Sequence, residues 1–231
     1  LSDPGPAGYR RGPMSRICPL LVLALLAGAC QPLAVEPESP PEILNNESPG
    51  WLTVASGRDI DRLDRLAVAW DVALAEARMA GFARRLAVEG RLLDPLGALD
   101  WAAPSPGAYR CRLLRFARDD RRSRVLTAFP EHFCHVGADG DSLFLTKETG
   151  TERPFGYLWP DEDPRRLVFL GSVMTGDEGR PPPYGSDPAT DVAGIFERVG
   201  SLRFRLVIPR FGVGILLAVS ELTPAPVQPD E

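Results

Sequence analysis

Between residues 56 and 80 the apolar positions recur at intervals of three and four. Ile60, Leu63, Ala67, Trp70, Leu74 and Ala77 fall on one stripe of a helix. Ser56 stands where an N-cap belongs, and Asp59 three residues on makes a capping box that uses Asp in place of Glu. Gly81 ends or bends this helix. A second, shorter one is expected over 82–93, before Asp94-Pro95 and the Pro-Gly turns of 104–107 break the pattern. Trp70 reads as a packing anchor of the stripe.

From Gly107 onward the period changes to two. Eight strands are predicted, at 108–117, 125–136, 142–148, 153–159, 166–174, 191–199, 202–208 and 214–222. In the seventh, Leu202, Phe204, Leu206 and Ile208 share one face, with Arg203 and Arg205 on the other. Phe155, Tyr157 and Trp159 share a face of the fourth. The fifth is apolar on both faces and should be covered on both. The fold class is therefore mainly β with N-terminal helices (α+β). An eight-stranded antiparallel meander closes as a small barrel, or splits into a two-sheet sandwich, and the helical pair caps it.

The first fifty residues follow another logic. Residues 1–13 carry no pattern, and Met14 reads as the start of a signal peptide over 14–29. Arg16 supplies its positive end and residues 17–29 are uncharged, too few for the roughly 20 that span a bilayer. Ala27-Gly28-Ala29-Cys30 resembles the lipobox of bacterial lipoproteins, with Ala27 where Leu is usual. Cys30 is then the lipid attachment site. The alternative is an ordinary signal-peptidase cut that leaves Cys30 as a spare thiol. Gln31 after the cysteine implies outer-membrane sorting, so the expected place is the cell envelope, anchored by lipid and facing the periplasm. Residues 30–50, rich in Pro, Glu, Ser and Asn, read as a disordered tether. Residues 51–106 form the helical segment, 107–223 the β domain and 224–231 a disordered tail.

Composition narrows function mainly by exclusion. A net charge of −5 and a pI near 5.2 argue against a nucleic-acid partner. Lys147 is the only lysine, and the near-exclusive use of arginine reads as a GC-rich genome, not as a binding device.

Cys111 and Cys134 fall in the first two strands, and the midpoint between them lies in the polar run 118–124. A hairpin folded there brings them roughly opposite, where an oxidising periplasm would join them. His132 and His135, the only histidines, raise a competing metal reading. Yet neighbours on a strand point to opposite faces, so His132, Cys134 and His135 cannot all converge on one ion. The disulfide is expected, and no metal or other cofactor.

The connection 175–191 is the longest in the β region. Its Asp177, Glu178, Tyr184, Asp187 and Asp191, stiffened by three prolines, form a possible binding loop, set against a plain solvated connection. Asp139-Gly140-Asp141 reads as a hairpin turn and not a calcium loop. Gly185-Ser186-Asp187 lacks the second glycine of a nucleophile elbow. No catalytic residue can be named, and an enzyme is not expected.

The stretches GAYRCRLLRF, FCHV, FGYLWP, RLVFLGS, GDEGRPPPYG, DVAGIFERVG and RFRLVIP together resemble an uncharacterised proteobacterial family, domain of unknown function 4893, from about Trp51 to Leu222. That family brings no established activity. By strand count the chain is also similar to calycin-like barrels, including lipocalins and small periplasmic protease inhibitors, a likeness of fold alone. The expected role is a non-catalytic binding or inhibitory module that presents rim loops to an envelope protein or a small apolar ligand. The alternatives are an assembly accessory docking through its helical face and, behind it, a hydrolase with an unrecognised site.

Overall fold

The computed structural model describes residues 50–118, 125–149, 152–175 and 182–226. The expected signal peptide, Cys30 and the tether lie outside them, as do Asp177 and Glu178 of the proposed loop.

Three helices and a closed antiparallel barrel make up the described chain. The helices are α1 (Gly57–Asp64), α2 (Leu66–Met79) and α3 (Ala83–Glu89), with 3-10 turns at Gly50–Thr53 and Gly90–Leu93. The strands are β1 (Gly107–Ala117), β2 (Leu126–Ala128), β3 (His132–Asp139), β4 (Ser142–Lys147) and β5 (Glu152–Pro160). They continue with β6 (Arg166–Thr175), β7 (Asp191–Gly200), β8 (Arg203–Pro209) and β9 (Ile215–Pro224). Each strand from β3 onward pairs with the next, and β9 returns to β1, so the sheet has no long free edge. β2 and β3 run in succession along the same side of β1, which makes the barrel eight-stranded. Of the two architectures expected, the barrel is the one formed.

The second predicted strand, 125–136, is broken. Leu114 faces Ala128 and Cys111 faces His132, so one extra residue is accommodated between them on the β2–β3 side. Pro130 lies in that gap. It has no N–H for the ladder, and a bulge is where such a residue is tolerated. At the β3–β4 hairpin the turn reading of Asp139-Gly140-Asp141 holds, with Gly140 at φ 58 as a type II′ turn asks of its first central residue.

Alternation sorts every strand between an inner and an outer face. Leu158, Phe169, Phe196, Phe204, Leu206 and Leu222 fill the interior beside Val136 and Leu145. Gly156 and Gly171, opposite each other on β5 and β6, give Phe169 its room: a Cβ on either would come within 2.7 and 2.8 Å of the ring. Phe155, Tyr157 and Trp159 do share a face, and it is the outer one, since Leu158 between the last two points inward. Leu202 leaves the stripe assigned to it. It sits in the β7–β8 turn, 66% exposed.

The helices cover the outer wall. Ile60 and Leu63 pack with Trp51 on Val168, Leu170, Ala193 and Ile195, while Trp70, Ala73, Leu74 and Ala77 pack on Leu114, Phe116, Val207, Leu217 and Val219. The single predicted helix is two, because Arg65 leaves helical geometry at φ −95, ψ 11. The break lets one apolar stripe follow a curved wall from β6 and β7 round to β9 and β1. Its apolar face is thereby spent within the fold, leaving Val68, Met79 and Val88 as separate exposed residues on the helices. No described helix is long and apolar enough to cross a membrane.

Charged residues fasten this cover. Arg205, on the outer face of β8, is wholly buried. It donates to Glu197 Oε2 at 2.6 Å and to the carbonyls of Arg91, Leu92 and Asp94 at 3.1, 3.0 and 2.6 Å, with its guanidinium 5.3 Å from the Trp70 ring. One turn away, Arg112 joins Glu89 of α3 and Glu221 of β9, each at 2.6 Å.

Candidate functional site at the barrel mouth

The two ends of the barrel differ. Tyr109, Leu158, Phe196 and Phe204 pack toward one end. At the other, β1, β4, β6 and β8 finish and β3, β5, β7 and β9 begin, and the inward positions become polar. Arg115, His132, Lys147 and Glu152 follow, in alternation, the apolar inner positions of their strands. Arg115 Nη2 donates to Glu152 Oε2 at 2.5 Å, and its guanidinium lies 4.7 Å from the Phe129 ring. Lys147 makes no hydrogen bond or ion pair among the described residues. Burial lowers its pKa, the Glu152 charge opposes that shift, and the Arg115 charge adds to it. Burial also lowers the pKa of His132, reinforced by Lys147 and opposed by a bond to the Pro130 carbonyl.

Two cavities open here and share Glu152. One, of about 470 Å³, is bounded by Leu113, Arg115, Phe129, His132 and Lys147. The other, of about 400 Å³, runs from Val173 and Ile208 to Arg58, Arg62, Asp191, Arg210 and Phe211. Arg62 spends its charge on Asp59 at 2.8 Å, and Arg58 donates to the Pro188 carbonyl at 2.5 Å. Arg210, like Lys147, has no charged partner among the described residues. Its backbone is in the left-handed region, φ 53, which is uncommon without glycine. Two cations with no ion pair among the described residues thus line the cavities of one mouth, on a chain whose net charge is −5.

The described part of the proposed binding loop is turned inward on itself. Tyr184 donates to Asp59 Oδ2 at 2.8 Å and accepts the Ser56 N–H at 3.0 Å. Asp187 accepts the Ala189 N–H at 2.9 Å, and Asp191 accepts that of Gly185 at 3.0 Å. Burial, more than the nearby Asp59 charge, raises the Asp191 pKa. Tyr184 ties the loop to α1, the bonds of Asp187 and Asp191 stay within it, and Asp191 lines one wall of the mouth. Asp59 is fully buried at the centre of that tie. Its part differs from a capping box: Ser56 Oγ donates to its Oδ2 at 2.8 Å, while the Ser56 N–H goes to Tyr184.

Cys111 and Cys134 are joined in the interior, with Cα atoms 6.0 Å apart. They are diagonal neighbours and not direct opposites, because Tyr109 faces Cys134 and Cys111 faces His132. His132 is on their face of β3 and His135 on the other, against Phe144. Composition hid the role of Lys147: a lone lysine among many arginines looks like background until its strand position turns it inward.

The family model described as "Domain of unknown function (DUF4893)" matches residues 51–222. No curated protein and no solved structure matches the chain.

Proposed function

The chain belongs to the DUF4893 family of unknown function, and we propose that it is a recognition module whose barrel mouth takes an anionic group, a carboxylate or a phosphate, presented by an envelope component. One observation carries this reading: the Lys147 ammonium stands half-buried beside the Arg115–Glu152 pair with no ion pair of its own among the described residues, and Arg210, likewise without one there, lines the other cavity of the same mouth. Burial of the ammonium outweighs the attraction of Glu152, whose carboxylate Arg115 already engages, and an incoming anion would offset the difference. The packed interior supports a ligand that rests at the rim, with its charged end on Lys147 and any apolar part against Leu113 and Phe129. In the same reading the module is exported, and Cys30 carries the lipid that holds it on the outer membrane.

The test is calorimetric titration of the oxidised protein with inorganic phosphate and with decanoate, each at low and high salt. Binding that weakens with salt, is lost in Lys147→Met and is weakened in Arg210→Gln supports the proposal. No heat with either anion, or equal binding by wild type and Lys147→Met, overturns it.

A further inference from the structure

Three ligand atoms converge beneath the mouth. The sulfurs of Cys111 and Cys134 and a ring nitrogen of His132 all lie within 4.8 Å of one another. The register produces this: Cys111 is paired with His132 across β1 and β3, and Cys134 follows His132 by two residues on the same strand face. Strand alternation keeps His135 out of this group, on the outer face against Phe144. The third ligand comes instead from β1.

The imidazole is also oriented. The Pro130 carbonyl lies within hydrogen-bonding reach of the His132 ring, and a ring that donates there turns its other nitrogen elsewhere. Anchoring one nitrogen on a carbonyl is how metal-binding histidines are commonly held. His132 lines the mouth cavity, which gives an ion a way in.

We propose that, once its disulfide is reduced, the protein holds a zinc ion between Cys111, Cys134 and His132, with the fourth position open to the mouth. A dithiol supplies two electrons and two protons to the S–S bond and itself becomes a disulfide. Zn²⁺ then forms two Zn–S bonds and one Zn–N bond, and the two thiol protons pass to solvent. Two thiolates cancel the charge of the ion, which matters beside Lys147, the register partner of Cys134. The ammonium in turn favours thiolate over thiol. The pair is thereby a switch between a covalent cross-link and a metal cross-link of the same two strands.

The experiment reduces the whole chain with dithiothreitol, removes the reductant without oxygen, and titrates with Co²⁺. Thiolate-to-cobalt absorption saturating at one equivalent and bleached by Zn²⁺, and absent from the oxidised protein, is expected. His132→Asn should lower affinity at least about 10-fold, while His135→Asn stays near wild type. If the reduced apoprotein unfolds, Zn²⁺ must restore a cooperative melt. No absorption from the folded reduced protein, no rescue by Zn²⁺, or equal losses in the two histidine variants overturns the site.

Discussion

Replacing Lys147 by Met should make the protein more stable while it silences the mouth. The methionine keeps most of the apolar stem and discards an ammonium that has no partner among the described residues. Glu152 is not orphaned, because Arg115 still holds it at 2.5 Å. What is lost is the hydration of a charge that burial disfavours and the attraction of Glu152, which burial outweighs. Substitutions that relieve a functional site in this way typically add about 0.5–2 kcal/mol. At about 2–4 °C per kcal/mol for a domain of this size, the melting temperature should rise by about 1–8 °C. The sign of the pH dependence gives a second readout. Burial holds the folded pKa below 10.5, so unfolding takes up a proton between the folded value and 10.5. Wild-type stability from this group therefore climbs with pH through that window and levels above it, and the variant lacks the climb. Denaturant unfolding at several pH values between 7 and 10.5 measures both effects. A variant less stable by more than about 1 kcal/mol would mean that the ammonium has a partner in the fold, and the reasoning about the mouth would fail with it.

The other expectations concern groups that hold the mouth in place. Arg205→Met leaves Glu197 buried without its cation and removes three carbonyl contacts, so a loss of about 3–5 kcal/mol is expected in urea melts. Adding Glu197→Gln should return part of that loss, and strict additivity would contradict a coupled pair. Tyr184→Phe strands the Ser56 N–H and one bond to Asp59 and should cost about 1–3 kcal/mol, with faster amide exchange at the start of α1. His132 has a folded pKa below its ordinary 6.5, so the unfolded chain takes up the extra proton and stability should fall as pH drops through 6.5. His132→Asn should flatten that acid limb, and His135→Asn should leave it in place.

The strand pattern was readable because alternation survives wherever one face is buried, and the cysteines followed from placing two strands around one polar run. What sequence left open were facts of the third dimension. Phe155, Tyr157 and Trp159 announce a shared face without saying which side of the wall it is, since inner and outer faces are both partly apolar under a helical cover. Arg205 looks like a solvent residue until the 3-10 turn after α3 and the residues that follow it close over β8 and offer it their carbonyls. Pro130 was visible, but a bulge that preserves inward facing on both sides of a proline is not signalled by period two. Asp187 and Asp191 were visible as charges in a loop, whereas the backbone N–H that each accepts, from Ala189 and Gly185, was not. Lys147 was the opposite case, a single residue whose meaning lay wholly in its parity.

A filled interior and a charged mouth together restrict what this barrel can recognise. Phe169, Phe196 and Phe204 occupy the volume that a carrier would leave for an apolar chain, so a ligand gains little area by going deeper. Its affinity must come from the rim, where burial disfavours the Lys147 charge and the exposed Arg210 has no ion pair among the described residues. Specificity then rests on charge and on the spacing of the two cations, and a neutral analogue of the ligand should fail even where its shape fits. The disulfide fastens the same region from below, tying β1 to β3 under His132 and close to Lys147. Exchanging that bond for a metal, or losing it, would shift the very strands that set the cation spacing. Anion affinity measured before and after reduction therefore asks whether mouth and cysteine pair act as one device or as two neighbours. A change in affinity that Zn²⁺ reverses means one device, and an affinity indifferent to reduction separates them.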